Sequence, residues 1–124
     1  MEKLYRLYGT RVQFLFVYTR EIHPVPDQKD RARGRRRPRM FRGPRIAQHK
    51  TMQERLKAAW QCQKGLKLSL PVLLDTMGNG YCRLYRGIPA GTTVIDIKGR
   101  IAYWNHGSPW GCRPQSAEKA IKRL

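Results

Sequence analysis

The chain has 124 residues, with 26 Lys and Arg against 8 Asp and Glu for a net charge of +18, and a pI near 10.8. That length suits one domain with a real core, and a hydrophobic content of 40% excludes a wholly disordered chain. No run approaches the roughly 20 apolar residues of a membrane-spanning helix, and the basic excess points to polyanionic partners without fixing a fold.

Residues 2–8 read as the tail of a helix, with Leu4, Leu7 and Tyr8 on one face and Gly9 as C-cap. Residues 12–19 read as a strand. Val12, Phe14, Leu15, Phe16, Val17 and Tyr18 are β-branched, aromatic or otherwise apolar, which suits a central strand covered on both faces in a parallel α/β sheet. Arg20, Glu21 and His23 follow at its carboxyl end, where open α/β sheets place their ligand sites, although charges there also suit a solvated strand end. Pro24 and Pro26 stop further sheet pairing.

Residues 27–47 form an Arg-rich insertion, and ten of the 26 basic residues lie between Lys29 and Lys50. With Gly34, Pro38, Gly43 and Pro44 and no apolar period, the tract reads as a long flexible loop. Arg31, Arg33, Arg35, Arg36, Arg37, Arg39, Arg42 and Arg45 suit phosphate recognition, because a guanidinium donates a planar fork to oxyanions. With Phe41 available to stack on a base, they form a candidate arm for RNA or another polyanion, though no base-reading motif accompanies them. A solvated insertion without a ligand reads equally from this composition.

Thr51 reads as a helix N-cap with Glu54 at the capping-box position, and Met52, Leu56, Ala59, Trp60 and Gln63 continue at helical spacing to Gly65. Leu70 to Asp75 reads as a second buried strand with Asp75 at its carboxyl end. Gly78-Asn79-Gly80 reads as a turn, and Tyr81 to Arg86 as a short helix. Strands at 91–97 and 100–104 flank the Lys98-Gly99 turn as a hairpin. Ser116 caps a last helix to Leu124, with Ala117, Ala120, Ile121 and Leu124 facing the core.

Cys62, Cys82 and Cys112 have no Cys-x-x-Cys spacing and are odd in number. That argues against a disulfide framework and a zinc site, so a reducing, cytoplasmic setting is expected, with no secretory signal evident. Cys112 beside Arg113 and Cys82 beside Arg83 leave an atypical thiol-dependent oxidoreductase as one reading, since a thiolate needs a cationic neighbour or a helix N-terminus. The histidines have no regular spacing and give no case for a metal, and no cofactor motif is read.

The order βαβ then ββα is the plan of thioredoxin-like domains. Phe14-Leu-Phe-Val-Tyr18 with Glu21-Ile-His23-Pro24, Gln48-His49-Lys50-Thr-Met-Gln-Glu-Arg55, Leu74-Asp75-Thr76-Met77, Val94-Ile-Asp96 with Gly99-Arg-Ile-Ala-Tyr103, and Gly107-Ser-Pro109 follow one another along nearly the whole chain. In this order they resemble successive blocks of the iodothyronine deiodinase family and its bacterial redoxin-like members. The resemblance implies an α/β, thioredoxin-like sandwich over 1–124 with a mixed, mainly parallel central sheet. It implies an oxidoreductase ancestry: reductive removal of iodine through a selenocysteine or cysteine upstream of the Phe14 block. Only 11 residues precede Val12 and none is cysteine, so an N-terminally truncated core without its nucleophile is expected. His23 matches the histidine that handles protons near that nucleophile, and His49 the histidine that clamps substrate. Ala90 stands where the family has a glutamate, and Gly107, beside His106, where it has an arginine. Incomplete redox activity and pairing of two copies through an unpaired sheet edge are therefore expected.

Overall fold

The structure, a computed structural model, describes residues 1–22, 24–25, 46–86, 90–105 and 113–124. In chain order the described elements are α1 (Glu2–Tyr8), β1 (Phe16–Tyr18), α2 (Met52–Leu66), β2 (Val72–Leu74), α3 (Gly80–Tyr85), β3 (Thr92–Ile95), β4 (Ile101–Asn105) and α4 (Pro114–Ile121). The protein is mixed α/β, and its described strands make two small sheets: β1 beside β2 in parallel, and β3 against β4 antiparallel. The chain divides into two compact units, one of Met1–Phe14 with Gly80–Leu124 and one of Leu15–Asn79.

In the Leu15–Asn79 unit, β1 is shorter than the expected 12–19. Its ladder to β2 pairs Phe16 with Val72, Val17 with Leu73 and Tyr18 with Leu74. The apolar residues before Phe16 lie outside the ladder, and Leu15 is exposed. Tyr18, Ile46, Ala58 and Ala59 form the core, with Phe16, Cys62, Val72 and Leu74 packed on it. The helix begins where capping chemistry puts it. Thr51 Oγ1 accepts from Glu54 N at 3.2 Å, while Glu54 Oε2 reaches back to the N–H of Lys50. The helix runs to Leu66, one residue beyond the expected Gly65 stop, and Lys67 caps it at φ 51°.

Of the apolar residues expected at helical spacing in α2, Ala59 alone is buried. Met52, Leu56 and Trp60 are exposed, and Arg55, Ala58 and Ala59 are buried. Four acceptors around the Arg55 guanidinium, described below, make this face the inner one.

In the other unit α4 packs on β3 and β4. Ala117, Ala120 and Ile121 are buried as expected, whereas Leu124 lies beyond the helix and is exposed. Pro114 takes the first turn and Arg113 the N-cap position, displacing the expected Ser116 start. Tyr8 donates from its hydroxyl to Glu118 at 2.9 Å, tying α1 to α4. On α1 Leu4 is buried, whereas Leu7, placed with it by spacing, is exposed. Gly9 caps α1 in a right-handed conformation, φ −62°. Glycine is needed there for closeness: a Cβ would lie 2.6 Å from Tyr5 O. The hairpin turns at Gly99, φ 77°, with Asp96 accepting from the N–H groups of Lys98 and Arg100 at 2.9 Å.

Replacing Thr51 with Ala removes the oxygen that satisfies Glu54 N. It is expected to lower the unfolding free energy by about 1 kcal/mol without changing the denaturant dependence, as read by urea titration.

Candidate functional site

Two parallel strands present their carboxyl ends on the same side, and the second is pinned to the first by Asp75 N donating to Tyr18 O at 2.9 Å. Around those ends the Leu15–Asn79 unit places its buried polar residues His49, Arg55 and Asp75. From β1 comes Tyr18, buried, whose hydroxyl donates to the Glu21 carboxylate just beyond the strand. Burial first, and that carboxylate second, push the Tyr18 phenol well above the usual range, so it stays protonated.

His49 lies two residues before the α2 N-cap and is buried at 5% exposure, its ring tilted 46° to that of Tyr18 with centroids 5.9 Å apart. One turn into α2, Arg55 is 1% exposed, which a guanidinium tolerates only if its N–H groups are satisfied. They are satisfied by three segments. Arg55 Nε donates to His49 Nε2 at 2.7 Å, Nη1 to the carbonyls of Asp75 (3.0 Å) and Thr76, and Nη2 to Asn79 Oδ1 at 3.0 Å. Asn79 adopts a left-handed conformation, φ 54°, which asparagine accepts more readily than most residues. Asp75 is buried and uses Oδ1 to take the Thr76 N–H at 2.8 Å.

His49 Nδ1 is buried with no hydrogen-bond partner among the described residues. Burial, and then the Arg55 charge, hold the imidazole below its ordinary value of 6.5. The ring is therefore neutral at neutral pH, with one nitrogen engaged and the other available.

Cys62 is half-buried on the inner side of α2. Burial and the Glu21 charge both push its thiol above the ordinary 9.0, the opposite of what a nucleophilic thiolate requires. Cys82 is buried in α3. Among the described residues, no group of three His, Cys, Asp or Glu side chains could hold a metal ion.

Of the residues singled out in the sequence, His49 is thus placed at the strand ends. His23, the eight arginines from Arg31 to Arg45, His106, Gly107 and Cys112 lie outside the described residues. Arg55 was not singled out, yet it organises the site. A signal for it exists: Arg55, Ala58, Ala59 and Cys62 stand at i, i+3, i+4 and i+7, a narrow face of small residues that admits a long polar side chain.

The raised Cys62 thiol gives a pH dependence of definite sign. Its thiolate fraction at any pH below 9 is smaller than that of a free thiol, so alkylation by iodoacetamide is expected to be slow at pH 7.5 and to accelerate only above the ordinary thiol range. Peptide mapping of the labelled site checks this; fast labelling at pH 7.5 contradicts it.

Comparison with known proteins agrees with the arrangement of blocks. A family model described as iodothyronine deiodinase matches residues 1–124. The type I iodothyronine deiodinase of Xenopus laevis is 26% identical over 121 residues, which is 98% of this chain and 43% of that protein. The chain therefore spans less than half the length of this relative. By the match along its whole length, the chain belongs to the iodothyronine deiodinase family.

Proposed function

We propose that this chain is the thioredoxin-like part of a deiodinase-family redoxin protein in which His49 holds an oxygen of an aromatic substrate. The carrying observation is the buried His49 Nδ1, without a partner among the described residues, beside the carboxyl ends of two parallel strands. An unpaired buried donor is costly, and an acceptor on a bound molecule removes that cost. The βαβ order with a parallel β1–β2 pair, followed by the β3–β4 hairpin and α4, supports a thioredoxin-like order of elements, and a sandwich with a mixed, mainly parallel sheet belongs to this reading through the family plan. His23, adjoining the Glu21 and Tyr18 pair in sequence, takes the proton-handling role in this reading.

The reading assigns binding to this chain and not complete deiodination. The Cys62 thiol is held protonated, and Ala90 replaces the glutamate of the family pattern. The odd cysteines support a reducing, cytoplasmic setting, and no helix among the described residues is long and apolar enough to cross a membrane. An iodothyronine titrated against tryptophan fluorescence is expected to bind, with His49→Phe weakening it about tenfold, as for one hydrogen bond to a buried donor. Iodide release in the presence of excess dithiol is expected to match the protein-free control. Release abolished by Cys62→Ser, or binding unaffected by His49→Phe, overturns the reading.

The charge distribution favours a second function on the same scaffold, sequence-nonspecific polyanion binding through the arginines from Arg31 to Arg45. Eight phosphate contacts give a log–log salt slope on the order of −6 to −7. Filter binding to RNA at low salt is expected to fall steeply when the eight are changed to serine, and unchanged affinity refutes it.

A further inference from the structure

We propose that Arg55 is a positioning residue that locks His49 in the Nδ1–H tautomer and so makes it a fixed hydrogen-bond donor to an oxygen acceptor on the ligand. The geometry leaves little alternative. Arg55 Nε carries a hydrogen and no lone pair for accepting, so the 2.7 Å contact requires His49 Nε2 to be the acceptor. In a neutral imidazole the remaining proton is then on Nδ1, the buried nitrogen that has no partner among the described residues. Arg55 cannot swivel away, because its Nη1 and Nη2 are held by the Asp75 and Thr76 carbonyls and by Asn79 Oδ1.

The lock also selects against the imidazolium. A proton on Nε2 would face the Arg55 N–H, break the contact and set two cations against each other. Among the described residues, Glu54 on α2 pulls the other way, Tyr18 on β1 is protonated and uncharged, and the Asp75 carboxylate after β2 is engaged with the Thr76 N–H. The recognised chemistry follows. A neutral histidine that only donates selects a phenolate, carboxylate or carbonyl oxygen, and offers nothing to a ligand group that is itself only a donor. The ligand-facing part of this inference rests on the role proposed for His49; the tautomer does not.

The test is long-range proton–nitrogen NMR on the ligand-free chain labelled with 15N-histidine, with His49→Gln used to assign the His49 signals. Wild-type protein at pH 7 is expected to show the Nδ1–H form in about tenfold excess, as for one hydrogen bond to a charged donor. Its titration should run below 6.5. Arg55→Met is expected to mix the tautomers and raise the midpoint toward 6.5, and Arg55→Lys, which keeps a charge but not the fork, to restore the bias only in part. An Nε2–H form or an imidazolium in the wild type at pH 7 overturns the proposal, as does a folded Arg55→Met with unchanged tautomer. The wild-type spectrum decides alone if that variant does not fold. Protein that shows the tautomer but binds no iodothyronine sinks the role of His49 and leaves that of Arg55 standing; binding without the tautomer does the reverse.

Discussion

The Leu15–Asn79 unit depends on one constraint: a guanidinium cannot be taken out of water unless its N–H groups have somewhere to go. Arg55 meets that condition with acceptors from the approach to α2, from the end of β2 and from the turn after it. Three features near the strand ends help to keep those acceptors in place. The Asp75 backbone is anchored to Tyr18 O, the Asp75 carboxylate fixes the Thr76 amide, and Asn79 bends into a left-handed conformation to aim its side chain. The small residues Ala58 and Ala59 on the same side of α2 keep the helix close to the β-strands.

This arrangement explains why the unit has two kinds of buried polar group with different duties. Arg55 donates to four acceptors and Asp75 takes the Thr76 N–H, whereas His49 engages one ring nitrogen and leaves Nδ1 buried without a partner among the described residues. Tyr18 and Glu21 form a second coupled pair on the β1 side, protonated phenol against carboxylate. The nearby thiol of Cys62 is quieted first by burial and then by that same carboxylate.

Much of the plan was legible from the residues because it is locally encoded. Thr51 caps α2 because its hydroxyl reaches an amide three residues on, and the Lys98-Gly99 turn forms because Gly99 takes a positive φ that Asp96 braces. Asp75 could be placed at a strand end from the apolar run before it. What could not be read is what tertiary contacts decide. Met52, Leu56 and Trp60 have the spacing of a buried face but lie in water, because the adjacent face offers the arginine its acceptors. The run from Val12 to Tyr18 looked uniformly sheet-like, yet only Phe16 to Tyr18 find ladder partners in β2. His49 was reachable only through resemblance, since nothing in its own neighbourhood of sequence marks it as buried.

The spacing of the Arg55 contacts along the chain has a bearing on how the unit assembles. Its partners lie 6, 20, 21 and 24 positions away, so only the histidine is within local reach of the helix. A fifteen-residue helix is marginal by itself in water, and α2 carries one turn from its start a charge that stays hydrated until β2 and its turn arrive. The capped first turn can form early, but the final desolvation waits on closure of the intervening loop. Helix and strand must therefore gain and lose their protection from solvent exchange together, as one cooperative element rather than two.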